Sequence, residues 1–221
     1  MPDDMTLQAM VMDELTWVPN VNAAHIGVSA RNGVVTLSGT VNSLVEKVAA
    51  ERAARRVRGV QAVAQEIAVD SGSTHRHMDA EIADRALKIL NWDLEVPDER
   101  IQVAVEHGIV TLTGTVMYQY QKQAVERDVG KLGGVTEVVN KIDIQPTANQ
   151  VIDPDTVHVK IQNALQRTVA LEATHIAVAV QGSLVTLRGK VKTWWERSIA
   201  ENAAWSSPGV TEVDNQLIVG D

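Results

Sequence analysis

The sequence predicts an α+β fold built as three tandem αββαβ units, each with two helices on one face of a three-stranded mixed sheet. Three observations carry that prediction. Val35-Thr36-Leu37-Ser38-Gly39-Thr40-Val41 recurs 75 residues on as Val110 to Val116, and again as Val185 to Val191. A second glycine, followed each time by valine, recurs at Gly59, Gly134 and Gly209. Within each period the apolar spacing switches from helical to alternating and back. The expected units are 3–70, 78–145 and 153–221. Asp70-Ser71-Gly72-Ser73-Thr74 and Pro146-Thr147-Ala148-Asn149-Gln150 read as polar linkers between them.

Each unit opens on an amphipathic helix. Leu7, Val11 and Leu15 lie four residues apart, matched by Ile82, Ala86 and Leu90 and by Val157, Ile161 and Leu165. Asp153-Pro154 gives the third copy an N-cap and a proline at the first helical position. Alternation follows at Ile26/Val28/Ala30, Ile101/Val103/Val105 and Ile176/Val178/Val180. The turns Asn32-Gly33, His107-Gly108 and Gly182-Ser183 then return the chain as an antiparallel hairpin. Asn-Gly suits a type I′ turn and Gly-Ser a type II′.

The second helix starts after Val41, Val116 and Val191. Ser43-x-x-Glu46 and Thr193-x-x-Glu196 are capping boxes, and the middle copy keeps Gln121 at the last box position. Gly59, Gly134 and Gly209 are expected at the left-handed position that ends this helix. The strand glycines Gly39, Gly114 and Gly189 are expected to let a helix backbone approach the sheet. A last strand alternates through Val63/Ile67/Val69, Val138/Ile142/Ile144 and Val213/Leu217/Val219.

Each unit is near the size at which one core supplies only roughly 3–5 kcal/mol, so contact between units should matter. Phenylalanine is absent and aromatics are 3 % of residues, so the cores are aliphatic. With no cysteine, disulfides, thiol catalysis and thiolate metal sites are excluded. A net charge of −8 argues against general nucleic-acid binding. Met1-Pro2-Asp3-Asp4 has neither a basic segment nor a long apolar run behind it. If Met1 is the native start, the expectation is a cytoplasmic chain with no transmembrane segment.

The order of elements, with V-T-L-x-G-x-V before the second helix and G-V-x-x-V after it, resembles the BON-domain family over nearly the whole chain. The family is named for bacterial osmotically inducible and nodulation-associated proteins. The resemblance implies a non-enzymatic protein associated with phospholipid or membrane surfaces, envelope integrity and osmotic stress. Some relatives with an additional domain bind potassium. Many are exported, and with no signal expected here this chain would depart from them.

The residues themselves offer few sites. Glu51, Glu126 and Glu201 recur four residues after Lys47, Lys122 and Arg197, which reads as an i,i+4 ion pair. Asn140 and Asn215, with Gln65 equivalent, share inward parity and are expected to bond a backbone end rather than a ligand. His25 and His175 correspond to Arg100 and read as solvated. His75-Arg76-His77 with Asp79 has ligand-like residue types but no fourth partner. Arg52, Arg55, Arg56 and Arg58 read as a solvated helix, while Trp17 and Trp92 read as lids over a core edge or contacts between units. No catalytic residue, metal site or cofactor is expected.

The most distinctive chemistry is Arg188-Gly189-Lys190-Val191-Lys192-Thr193-Trp194-Trp195, special to the third copy. Arg188, Lys190, Lys192, Trp194 and Trp195 combine cations, amphipathic rings and a helix N-terminus, which suits anionic headgroups. Three cations at about 1 kcal/mol each give attachment on the order of millimolar. The plainer role is a tryptophan packed in the core or between units beside solvated cations. The leading expectation is a non-catalytic protein binding an anionic phospholipid surface. The alternatives are a protein–protein scaffold or chaperone-like module, and third an ion-sensing role.

Overall fold

The computed structural model describes residues 3–70, 79–92, 100–145, 154–167, 176–207 and 209–220. The first unit comprises α1 (Asp4–Thr16), β1 (Ile26–Arg31), β2 (Val34–Val41), α2 (Leu44–Arg56) and β3 (Ala62–Val69). The second comprises α3 (Asp79–Trp92), β4 (Ile101–Glu106), β5 (Ile109–Val116), α4 (Gln119–Val129) and β6 (Glu137–Ile144). The third comprises α5 (Pro154–Arg167), β7 (Ile176–Gln181), β8 (Leu184–Val191), α6 (Trp194–Trp205) and β9 (Glu212–Val219). Asp153 and both expected linkers beyond Asp70 lie outside the described residues.

Each unit has its own sheet, with the second strand in the centre. β1 pairs antiparallel with β2, and β2 pairs parallel with β3. Both other sheets repeat that register, so the architecture is three α+β units with mixed sheets. The parallel pair needs a crossover, and the second helix supplies it. One sheet face packs under the helices; the other carries the small and polar residues Thr36, Ser38, Thr111, Thr186 and Arg188.

The periodicities explain the cores. Leu7, Val11 and Leu15 are buried, as are Ile82, Ala86 and Leu90, and Val157 and Ile161. The Leu165 side chain lies outside the described residues. They meet Val35 and Leu37, Val110 and Leu112, and Val185 and Leu187 on the central strands. Ala50, Ala53 and Ala54 on α2 are fully buried, and their small side chains let the second helix lie close to its neighbours. Asp3 caps α1 by accepting the Thr6 N–H at 2.8 Å, and this bond holds its carboxyl below the usual range.

The recurrent glycines do different work from that expected. Gly39 and Gly114 have φ of 122° and 128°, and Gly189 has 135°. A Cβ on Gly39 would stand 2.1 Å from the His25 carbonyl oxygen, and one on Gly114 would stand 2.0 Å from that of Arg100. The close approach is therefore to the short 3-10 turn that enters the neighbouring strand, Ala23–His25 in the first unit, and not to either α-helix. Gly59, Gly134 and Gly209 do not cap a helix either. α2 ends at Arg56, and Val60 N–H bonds to the Val57 carbonyl. That makes Gly59 the third residue of a four-residue turn with φ of 98°, a type II signature. Equivalent bonds join Val135 to Leu132 and Val210 to Ser207.

The hairpins follow their residues. Asn32-Gly33 and His107-Gly108 have positive φ at both central positions, as a type I′ turn requires. Gly182 alone is positive in the third hairpin, which fits type II′.

Candidate surface-binding site

Alternation along β8 buries Val185, Leu187 and Val191 and turns Arg188 and Lys190 to the open face. Arg188 Nε donates to Gln216 Oε1 at 2.8 Å across the β8–β9 pair. Lys190 stands beside Ile218, itself exposed. Lys192 is also exposed, just before the head of α6. There Thr193 Oγ1 accepts the Glu196 N–H at 3.1 Å, and Glu196 Oε2 accepts the Lys192 N–H at 2.6 Å. The capping box thus fixes where the two tryptophans begin.

Trp194 and Trp195 then separate. Trp195 is 49 % exposed. Trp194 belongs to the joint with the first unit: its ring packs on the edge of that unit's core, and its Nε1 donates to the Gln61 carbonyl at 2.8 Å. The guanidinium carbons of Arg55 and Arg197 each lie 5.1 Å from the ring centroid, within cation–π range. Trp194 is therefore withdrawn from the expected lipid-facing set. The position has a general use, because the equivalent Leu44 packs on the core of the middle unit. The sequence carries a signal for this in an apolar residue at the helix head, off the buried stripe of Ala50, Ala53 and Ala54.

Three further expectations change. Trp17 and Trp92 are 83 % and 86 % exposed, so neither is a lid over a core edge among the described residues. Each follows the last core residue of its helix, Leu15 or Leu90, and so lies past the end of the buried stripe. The repeated glutamates do not pair with the preceding cations. Glu126 and Glu201 accept the Asn140 and Asn215 Nδ2 amides at 3.0 and 2.9 Å, while Glu51 pairs with Arg55 at 2.6 Å. Lys122 donates instead to the Ile142 carbonyl at 2.6 Å, and Arg197 to the carbonyls of Leu217 and Asn215 at 3.2 and 2.5 Å. The arginine cluster is not merely solvated, since Arg55 serves the joint and Arg56 pairs with Glu14 on α1 at 2.9 Å.

Asn140 and Asn215 bond backbone ends. Their Nδ2 groups reach the carbonyls of Lys122 and Arg197 at 3.0 and 3.5 Å, and their Oδ1 atoms accept the N–H groups of Ile142 and Leu217, both at 3.2 Å. The buried Glu46 takes the N–H groups of Asn22 and Asn42 at 2.8 and 3.2 Å. Gln121 takes those of Met117 and Tyr118 at 3.0 and 3.1 Å. His75, Arg76 and His77 lie outside the described residues. Asp79 accepts the His107 and Gly108 amides at 2.9 and 3.0 Å, and these bonds hold its carboxyl below the usual range. Among the described residues, no three histidine, aspartate or glutamate side chains gather as a metal site, and no helix is long and apolar enough to cross a membrane.

One small module used three times, with the buried Glu46 and Gln121 side chains spent on its own backbone, defines the class: a tandem-repeat α+β protein. The chain belongs to the BON-domain family, whose domain pattern matches residues 3–71, 78–146 and 153–221. It is 31 % identical over 145 residues to osmotically-inducible protein Y of Escherichia coli (strain K12), a match covering 63 % of this chain and 72 % of that protein. Among solved structures it is 14 % identical to the C-terminal domain of CdsD, the structural protein of the type III secretion system of Chlamydia trachomatis. That match covers 99 % of each chain with a TM-score of 0.26, too low to carry a structural argument.

Proposed function

We propose that this chain is a non-catalytic, three-module protein that attaches to an anionic phospholipid surface, in osmotic-stress or envelope physiology. The observation that carries the reading is the exposure of Trp17 and Trp92, at equivalent places in two units of a chain with few aromatics. A bare indole gains by lying in a membrane–water interface, where its apolar body and polar N–H both find partners. Trp195, with Arg188, Lys190 and Lys192 nearby in sequence, adds cations that anionic headgroups attract. Several weak contacts on one chain gain by multivalency. The kinship with an osmotically inducible protein supports the physiological part. The non-catalytic part is supported by Glu46 and Gln121, buried polar side chains occupied in capping helices.

Vesicle co-sedimentation tests the reading. The chain should bind phosphatidylglycerol vesicles at low salt with a blue shift in tryptophan emission, release them as salt rises, and ignore phosphatidylcholine. Trp17→Ala/Trp92→Ala should weaken binding without unfolding. Absence of binding to anionic vesicles at low salt removes the proposal. Capture of a protein partner without lipid, lost in the same variant, would favour the scaffold alternative.

A further inference from the structure

The first helix of each unit holds the same place in the fold, so its outward side can be compared across the three. At about 100° per residue, positions 5, 9, 12 and 16 of α1 fall within roughly 60° of one another, turned away from the buried Leu7, Val11 and Leu15. They are Met5, Ala9, Met12 and Thr16, all exposed, and Met5 is 83 % exposed. In the middle unit those places hold Ala80, Asp84, Leu87 and Asn91. There α3 solvates its outer side with ion pairs, Glu81 with Arg85 and Asp84 with Lys88. In the third unit the first three places hold Asp155, Val159 and Gln162. Among these helices only α1 puts methionine in the row, and four of the chain's six methionines lie in its first twelve residues.

The charge around that row is of one sign. α1 contains three carboxylates and no lysine or arginine. Asp4 is engaged with the Asn32 amide and Glu14 with Arg56. Asp13 stands exposed beside the row, next to Met12 and one turn after Ala9. The carbonyl end of the helix adds partial negative charge close by, with no basic residue in its last turn. Two simple occupants are disfavoured on this ground. A second copy laid face to face would bring two acidic helices together with no cation on either. An anionic bilayer would meet the same carboxylate. Methionine suits a third kind of occupant, because its flexible thioether chain repacks against the apolar surface that arrives.

We propose that the outer row of α1 is a docking face for an amphipathic helix of a protein partner. The partner's apolar stripe lies on Met5, Ala9 and Met12, and its lysine or arginine meets Asp13. The row from Met5 to Thr16 is about 16 Å long, so three turns of partner helix cover it. Apolar anchors at i, i+4 and i+7 on the partner match its spacing. Ala9, small and central, sets the closest approach of the two helix axes, with a methionine on either side. Trp17 lies roughly 110° round the helix from the row, so it stays open to the surface proposed above. The docking face does not rest on that reading.

The test uses the full chain, isotopically labelled in its methionine methyl groups for NMR. The probe is a fluorescein-tagged amphipathic peptide of leucine and lysine, about 14 residues long so that it spans three helical turns. Saturable shifts at the Met5 and Met12 methyls are expected, while Met117 on the middle unit stays still. A leucine–glutamate peptide of the same pattern should leave all three unmoved. By peptide anisotropy, Met5→Gln/Met12→Gln should lower the affinity roughly tenfold or more. Asp13→Asn should weaken binding severalfold and reduce its salt dependence, and Leu87→Gln, at the corresponding place on α3, should leave it unchanged. All these positions are exposed, so the variants keep the fold, which urea unfolding checks. Equal binding of the glutamate peptide, or undiminished binding in the double methionine variant, overturns the docking face. Methyl shifts at Met5 and Met12 on raising the protein concentration alone assign the row to a second copy. Shifts with phosphatidylglycerol vesicles but not with peptide assign it to lipid, and either result overturns the proposal.

Discussion

In the middle and third units an asparagine joins the last strand to the second helix; in the first unit Gln65 stands at that place. Asn140 and Asn215 reach a helix carbonyl and a glutamate with one amide group, and accept a strand N–H with the other end. Gln65 keeps only the last of these, accepting the Ile67 N–H at 3.2 Å. Its Nε2 is buried without a partner, and Glu51 goes to Arg55 instead. One extra methylene changes the geometry enough to open the lock. Equivalent backbone is therefore not equivalent energy, and the first unit shifts part of its holding outward. Arg56 ties α2 to Glu14 on α1, and Arg55 leans on a tryptophan from the third unit.

The largest effect belongs to what the units share. Gly39→Ala and Gly114→Ala should each cost roughly 3 kcal/mol or more, because positive φ and a Cβ placed on a carbonyl oxygen add together. Urea unfolding followed by amide signals from each unit would measure both. Similar losses mean the comparison is confined to side chains. A much smaller loss at Gly39 would mean the first unit yields at its backbone too.

The lock itself comes next. Asn140→Ala leaves the Lys122 carbonyl and the Ile142 N–H short of a partner, at a cost of roughly 1–3 kcal/mol. Gln65→Ala removes one bond and one orphaned amide together, and should fall within about 0.5 kcal/mol of the parent. Equal losses at the two positions would break the comparison. Gln65→Asn should sharpen it, stabilising the first unit by roughly 0.5–1.5 kcal/mol as the shorter amide reaches the Lys47 carbonyl and Glu51. Chemical denaturation distinguishes gain from loss without ambiguity of sign.

The distribution of these effects mirrors what the residues disclose on their own. Helical stripes such as Leu7, Val11 and Leu15, and alternation such as Val35 and Leu37, are local patterns, so elements and cores were legible. Turn type was legible from Asn32-Gly33 for the same reason. The role of Gly39 was not, since its clash is with His25 across a strand pair, a contact that spacing does not encode. The ion pairs expected for Glu126 and Glu201 failed similarly, because an asparagine fourteen residues away outcompetes a neighbour four away. At the candidate site, Arg188 and Lys190 followed from parity. The fate of Trp194 depends on a backbone carbonyl 133 positions distant, and only packing between units reveals it.

The smallest effect distinguishes the units at their hairpins. Asp79 holds the His107 and Gly108 amides, Asp4 holds only the Asn32 amide at 2.8 Å, and the third unit has Pro154 where those carboxylates stand. There Thr211 Oγ1 bonds Ser183 Oγ at 2.7 Å instead. The Asp79 carboxyl is held below its ordinary 3.8, chiefly by the His107 amide and then by that of Gly108. A depressed carboxyl favours the fold when ionised, so its contribution is complete above the unfolded value and fades as pH falls through the folded one. Asp79→Asn should therefore loosen the His107–Gly108 turn at neutral pH, and the gap from the parent should close in acid below 3.8. Amide exchange at Gly108 reads that turn directly, with Gly182 as the internal reference because Pro154 stands at the place of Asp79 in its unit. A gap at Gly108 that stays constant into acid would mean the aspartate acts there through shape rather than charge.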